Sequence, residues 1–406
     1  MGVPNELRIQ RLRRAFRDRY GHAGAFVATA PGRVNVIGEH IDYNELSVLP
    51  MAIQRRVALV FRPRADETIR IANARRSFPD GRFALRPTIP PHPVGAWCNY
   101  VKAAAEELAT GYGAHHGLDA IVDSTIPVAA GLSSSSALVI ATALAIAHTN
   151  ELEIPPLELA GRMAAAERYV GTQGGGMDQA ISLLAQSGTA SRIDFDPLRV
   201  TAVPIPPAWR FIVAHSLSAA EKSGRVQAVY NQRTRECREA LARVAAHIGP
   251  AGSRPTYATL TATHAVEELV AVAESHLDGA PRRRFRHVVT EADRVRRAEM
   301  AMREGDLDAL GAVLRDSQAS LRDDYEVSTP DLERLVDFAL EAGAAGARLT
   351  GAGMGGCAIA LCTDDRLDEV MGMLERKFYG ARAWSGALDD VLFVAEPSSG
   401  ATVTSL

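Results

Sequence analysis

Between Ile126 and Ala145 the chain reads IPVAAGLSSSSALVIATALA, in which Gly131 and Leu132 lead into Ser133, Ser134, Ser135 and Ser136 and then straight into an apolar helical pattern. Serines placed where a helix begins stand beside backbone N–H groups that lack an intrahelical partner. Those groups also carry the positive end of the helix dipole, so the position is an anion site, with phosphate the obvious anion. One serine is enough to cap a helix. Four in a row after a glycine point instead to a loop that holds phosphate with hydroxyls and backbone. A Walker A loop is excluded, because it needs Gly-Lys-Ser/Thr and the three lysines, Lys102, Lys222 and Lys377, follow Val101, Glu221 and Arg376. The protein-kinase pair H-R-D and D-F-G is absent as well.

Two further stretches carry groups suited to the same chemistry. In AERYVGTQGGGMDQAIS, Gly174, Gly175 and Gly176 precede Asp178 at the start of a helical pattern, and Glu167 lies eleven residues before Asp178. An acid in a first helical turn complements the dipole, but three glycines ahead of it bare the backbone on its approach side. In GARLTGAGMGGCAIA, Gly351, Gly353, Gly355 and Gly356 join two strand-like pieces, either as a hairpin or as a binding loop. A third stretch, GRVNVIGEHIDYNELSVLP, packs Arg33, Asn35, Glu39, His40, Asp42 and Asn44 between apolar segments. Together these form the parts of a phosphoryl-transfer site: an anion loop, an acid by a glycine strip, a spare carboxylate for magnesium and a polar cluster for the acceptor. Magnesium needs only one or two protein oxygens beside phosphates and water, which Ser135 and Glu167 would supply.

The elements that must position these groups are legible in outline. At 406 residues the chain is expected to fold as two domains. Strand-like RVALVFRP and LDAIVDS alternate with helical SALVIATALAIAHTN and LELAGRMAAAERYV, and the N-terminal MGVPNELRIQRLRRAFRDRYG reads as an amphipathic helix. Prolines cluster in PLRVTAVPIPPAW, which places a boundary near residue 205 and gives domains 1–205 and 206–406. Beyond FIVAHS, helices dominate from about 222 to 343, and the strands GARLT, CAIALC and VLFVAE follow, so the fold class is α+β with helices covering a small, mostly antiparallel sheet. The tail from Ser398 is expected to fray. The basic run PRRRFR at 281–286 is expected on a solvated helix face. A net charge of −3 gives no general attraction to nucleic acid or an anionic membrane, and no apolar run reaches the roughly 18 to 20 residues that cross a bilayer, so a cytoplasmic protein is expected. Four cysteines without a C-x-x-C pair predict neither a disulfide framework nor structural zinc.

On GRVNVIGEHIDYNELSVLP, GLSSSSAL and RLTGAGMGGC, three motifs in order, the chain resembles the GHMP kinases, and within them the galactokinases, across nearly its whole length. The resemblance implies an N-terminal α/β domain related to a ribosomal-protein fold, a C-terminal ferredoxin-like α+β domain and an active site between them. It implies ATP-dependent phosphorylation of galactose at the anomeric hydroxyl, with a small-molecule sugar and ATP as partners, Mg2+ as cofactor and no nucleic acid or membrane. By matching positions, Glu39, His40, Asp42, Gly175, Gly176 and Tyr230 would contact the sugar. Asp178 would orient or accept the hydroxyl proton beside Arg33, and Gly131 to Ser136 would hold the phosphates. Trp97, in GAWCNYVK, matches a region lining the adenine pocket, with a core position as its other reading. GEHIDY, SVLPMAI and GTQGGGMDQAIS are more similar to plant galactokinases and animal N-acetylgalactosamine kinases than to many bacterial members. The alternatives are accordingly an N-acetylgalactosamine kinase and a non-catalytic sensor of galactose and ATP.

Overall fold

The computed structural model describes residues 5–171, 174–218, 225–248, 255–382 and 384–406. The chain opens with helix α1 (Asn5–Tyr20) and the long hairpin β1 (Phe26–Ile37) and β2 (Leu49–Pro63), followed by β3 (Thr68–Asn73), β4 (Gly81–Ala84), α2 (Cys98–Tyr112) and β5 (Leu118–Ser124). Next come α3 (Ser134–Thr149), α4 (Pro156–Ala166), α5 (Met177–Leu184) and the hairpin β6 (Thr189–Phe195) and β7 (Leu198–Pro204). The second half runs through β8 (Trp209–His215), α6 (Arg225–Ile248), α7 (Tyr257–Thr263), α8 (Val266–His276), α9 (Gly279–Glu304), α10 (Leu307–Asp323) and α11 (Pro330–Glu341). It ends with β9 (Gly346–Thr350), β10 (Cys357–Thr363), α12 (Leu367–Met373), β11 (Leu392–Ala395) and β12 (Thr402–Ser405).

Alternation along β2 explains the first layer. Val57, Leu59 and Phe61 point into the main core with residues of α2 and α3, while Ala58 and Val60 point the other way and meet Leu12 and Phe16 of α1. Successive side chains on a strand face opposite sides. A sheet whose residues are apolar in both sets must therefore be covered twice, and α1 is the second cover. The six strands lie in the order β12-β1-β2-β5-β3-β4, antiparallel except for the β3 and β5 pair.

The second sheet is antiparallel throughout, in the order β11-β8-β10-β9. Numbered within this half, that order is 4-1-3-2, with helices between the first and second strands and between the third and fourth. This is the ferredoxin-like arrangement. Among the described residues no helix is long and apolar enough to cross a membrane, and all four cysteines are free and buried.

Two expectations are corrected. The tail after Ser398 does not fray: β12 pairs with β1 from Phe26↔Ser405 to Thr29↔Thr402, returning the chain to the first sheet, so the last strand lies outside the second unit as bounded from sequence. β12 caps an edge that would otherwise expose unpaired backbone. Nor is PRRRFR a solvated face. Arg284 is 1 % exposed and pairs with Glu236 at 2.8 Å and Glu326 at 2.5 Å, and Phe285 is fully buried. Six residues of helix leave room for both a wet and a dry face, and Arg282 alone in the run is exposed.

Candidate active site

The hairpin connection from β1 to β2 carries the polar cluster. Gly38 adopts φ +99°, where a Cβ would stand 3.0 Å from the Val48 backbone, and His40 follows at φ 63°. This kinked turn is held from the second half of the chain. Glu291 of α9 accepts the Gly38 and Glu39 N–H groups at 3.0 and 3.2 Å, and His287 Nε2 donates to the Glu39 carbonyl at 3.0 Å. Burial would raise the Glu291 carboxyl, but Arg294, His287 and Arg348 outweigh it and bring the carboxyl down to about 2, so it stays an acceptor.

Arg33, inside β1, reaches Asp178 at the first turn of α5, with Nε and Nη2 each 2.8 Å from Oδ1. Its third nitrogen donates to the Gly131 carbonyl in the serine loop. One guanidinium thus ties the acid to the loop, and both partners are buried. Gly176 sits at φ +102° as the residue before α5, a conformation that favours glycine. At Gly175 a Cβ would lie 2.2 Å from the Asp42 carbonyl carbon, so its bareness lets the strip pack on the Asp42–Tyr43 backbone. The Gly175 N–H donates to Asp42 Oδ2 at 3.1 Å.

These groups converge. Arg33, Glu39, His40, Asp42, Glu167, Gly174 to Gln179, Tyr230, Gly351 and Ala352 line one pocket. Burial, and then the neighbouring Asp178 charge, push Asp42 up to about 6. Burial also raises Glu39 against the pull of Arg348 and Arg33. His40 is pushed down to about 3, mainly by burial and by His287, so its ring is neutral. Both ring nitrogens already have protein partners, Nδ1 with Tyr43 Oη at 3.0 Å and Nε2 with the Ala352 carbonyl at 3.1 Å.

A second cavity, of about 460 Å³, adjoins on the other side of the serine loop. Gly131, Ser133, Ser134 and Ser135 line it together with Trp97, Phe78, Tyr100 and Arg75. Trp97 is 9 % exposed, its Nε1 donates to the Pro79 carbonyl at 2.8 Å, and it is among the residues that line the cavity. Ser133, at φ 59°, precedes α3 with a buried Oγ that has no hydrogen-bond partner among the described residues. Leu132 turns its side chain into the core, and its carbonyl accepts the Arg33 N–H at 3.2 Å. Ser136 is fully buried and donates to Glu167 Oε1 at 2.5 Å, whereas Ser135 lines the cavity. Among the described residues no group of three or more His, Cys, Asp or Glu could hold a metal by itself. A buried carboxylate with a serine hydroxyl beside it, in the pocket that contains Asp178, does fit a magnesium ion carried mainly by phosphate oxygens.

Sequence reasoning missed the contribution of the third motif. The Gly351 N–H donates to Glu39 Oε1 at 2.6 Å, and Arg348, fully buried in β9, donates to the Asn35 and Val36 carbonyls at 2.9 Å each. The glycine density marked this loop, but nothing local marked Arg348. Tyr43 and Tyr325 were missed too, Tyr325 because it lies at the end of a helix remote in sequence. Thr172 and Gln173, which bear on the bulk of the glycine strip, lie outside the described residues.

Comparison with known proteins agrees with this geometry. Three family models match: the galactokinase galactose-binding signature over residues 14–63, the GHMP kinases N terminal domain over 99–186 and the GHMP kinases C terminal over 298–380. The GHMP kinase class accounts for both sheets and for the cleft between them. A galactokinase of Roseiflexus sp. (strain RS-1) is 36 % identical over 373 residues, covering 91 % of this chain and 92 % of that one. The crystal structure of Lactococcus lactis galactokinase complexed with galactose superposes with a TM-score of 0.86 at 30 % identity, covering 97 % of this chain and 99 % of that chain. Methanococcus jannaschii mevalonate kinase shares the fold at a TM-score of 0.62 and 17 % identity, over 92 % of this chain and 98 % of that one. The chain belongs to the galactokinase family of the GHMP kinases. It is an ATP-dependent sugar kinase.

Proposed function

We propose that the chain transfers the γ-phosphoryl group of ATP to the anomeric hydroxyl of D-galactose, giving galactose 1-phosphate and ADP. The observation that carries this reading is the Arg33 guanidinium, which joins Asp178 in the sugar-side pocket to the Gly131 carbonyl of the serine loop. An acceptor hydroxyl resting at Asp178 would face a phosphate held by that loop. Arg33 pairs with the Asp178 carboxylate and offsets charge on the transferring group, while Asp178 orients the hydroxyl or takes its proton. Asp42, Glu39 and the backbone of the glycine strip offer acceptors and donors for the remaining hydroxyls, the kind of array a sugar requires. Tyr230 closes the pocket from α6.

Adenosine would occupy the cavity beside Trp97, with the phosphates over the N-terminus of α3, where Ser133 Oγ has no partner among the described residues and the first N–H groups of a helix lack intrahelical acceptors. Mg2+ would be held by Glu167 and a serine hydroxyl, and when bound it neutralises phosphate charge. The intact serine loop favours an enzyme over a silent sensor of galactose and ATP.

The decisive experiment measures product formation with ATP and magnesium on galactose and on N-acetylgalactosamine. Galactose is expected to have the higher kcat/KM. A preference for N-acetylgalactosamine would replace the acceptor and keep the chemistry, and binding of both ligands without product would identify a sensor.

A further inference from the structure

We propose that Tyr325 is a positioning residue of the sugar pocket, acting through Tyr43 to hold His40 as the tautomer with its proton on Nε2. The inference rests on reading this pocket as the sugar site. It follows from counting donors and acceptors along one buried chain. His40 Nε2 lies 3.1 Å from the Ala352 carbonyl, which can only accept, so Nε2 must carry a proton. The ring is neutral, so Nδ1 is a lone pair and must receive the hydroxyl proton of Tyr43, 3.0 Å away. Tyr43 then has no proton left for its other neighbour. Tyr325 Oη, 2.5 Å from Tyr43 Oη, must donate to it, and the Cys237 thiol, 3.2 Å from Tyr325 Oη, donates in turn.

Every bond in this series therefore runs one way, from Cys237 to Tyr325 to Tyr43 to His40 to Ala352, and its direction is fixed by one carbonyl. The series crosses the molecule: Cys237 is on α6, Tyr325 follows α10, Tyr43 and His40 are in the β1–β2 connection, and Ala352 is in the third glycine motif. Tyr325 is fully buried, and its ring lies under His40 with centroids 4.7 Å apart and planes 27° apart. Tyr230, which lines the pocket, packs on both His40 and Tyr43 at centroid distances of 5.6 and 5.2 Å.

The consequence for the pocket lies in the wall formed by Gly351 and Ala352. Glu39 accepts the Gly351 N–H while the next residue, His40, donates to the Ala352 carbonyl. With the opposite tautomer, a ring lone pair would face the carbonyl lone pairs, and the wall would lose one of its two holds. Tyr325 touches no substrate in this account; it acts by keeping a donor aimed at Tyr43.

Two measurements test the proposal. In the full chain with 15N-labelled histidine, long-range proton–nitrogen correlation spectra at pH 7 are expected to show His40 as the neutral Nε2–H tautomer. An Nδ1–H tautomer or an imidazolium would overturn the proposal, and this readout does not depend on which sugar is used. In the second, Tyr325→Phe keeps the ring and removes the donor. It is expected to raise KM for galactose by roughly five- to thirty-fold, with smaller changes in kcat and in KM for ATP. Tyr43→Phe is expected to do the same, and the double variant to cost less than the product of the two single effects. Equal losses in KM for both substrates, or effects that simply multiply, would reduce the tyrosines to packing residues and overturn the proposal.

Discussion

Gly131 and Gly351 lie backbone to backbone: a Cβ built on Gly351 would stand 2.5 Å from the Gly131 carbonyl oxygen and 3.0 Å from its Cα. The serine loop of the first sheet and the glycine loop of the second therefore interlock with no side chain between them. Gly351 also holds φ +86°, a conformation that side chains disfavour. Gly351→Ala is expected to push the two loops apart, displacing both the Gly131 carbonyl from Arg33 and the Gly351 N–H from Glu39. A shift of about 1 Å in such a site costs on the order of 10²-fold in turnover. Gly161→Ala, on α4 with open space around it, serves as the control and is expected to leave turnover intact. Steady-state kinetics and melting temperatures of the two variants compare the effects directly.

Asp178→Asn keeps the size of the side chain and removes its charge. If Asp178 takes or orients the hydroxyl proton, turnover is expected to fall by roughly 10² to 10⁴ while ATP still binds. Arg33→Lys probes the same unit from the other side. A lysine cannot reach Asp178 and the Gly131 carbonyl together, because it lacks the planar fork. Both variants are expected to lower kcat far more than they raise KM for ATP, as read by a coupled assay for ADP. Near-normal turnover in a folded Asp178→Asn protein would remove that residue from the chemistry.

How far the site can be read before folding differs from residue to residue. The serine loop, the Gly174 to Gly176 strip and the polar hairpin turn each announce themselves, because anion binding, tight turns and hydroxyl recognition demand residue types that stand out against apolar strands. Strands such as Leu118–Ser124 were legible to the residue for the same reason. What stayed hidden is whatever depends on contact across the chain. Arg348, Glu291 and Tyr325 are buried polar groups that each reach a partner in the β1–β2 hairpin more than 250 residues away in sequence, and no local pattern announces that contact. The return of β12 to β1 was missed on similar grounds, since four residues of a Ser/Thr-rich tail become a strand only when an open sheet edge is there to receive them.

Asp42 makes the site sensitive to pH in a direction that can be worked out. Its carboxyl rises from an ordinary 3.8 to about 6 on folding, chiefly through burial. Between those values the folded state holds a proton that the unfolded chain has released, so stability falls as pH rises through this window. The full penalty, on the order of 2–3 kcal/mol, is present above about pH 7 and absent near pH 4. Asp42→Asn retains an acceptor for the Gly175 N–H and cannot ionise. Its melting temperature is expected to match that of the parent near pH 4 and to exceed it increasingly up to pH 7, with a weaker sugar affinity accompanying the gain. A constant difference across this range would show that Asp42 titrates normally.

The pairing of Ser136 with Glu167 separates two hydroxyls that the sequence alone runs together. Ser135 lines the nucleotide-side cavity, whereas Ser136 is fully buried and spends its proton on the Glu167 carboxylate at 2.5 Å. If magnesium is held where Glu167 meets the phosphates, Glu167→Gln weakens the site by removing its one protein charge, and the magnesium concentration for half-maximal rate is expected to rise about tenfold or more while KM for the sugar changes little. Ser135→Ala removes a hydroxyl that lines the cavity proposed for the nucleotide and is expected to raise both that concentration and KM for ATP. Ser136→Ala removes no ligand but leaves the buried carboxylate short of a donor, which costs about 1–3 kcal/mol of stability. It is expected to lower the melting temperature while shifting the magnesium titration less than Ser135→Ala does. Titrating rate against magnesium at saturating sugar, alongside thermal unfolding, distinguishes the roles. A larger magnesium shift for Ser136→Ala than for Ser135→Ala would make Ser136 the metal ligand.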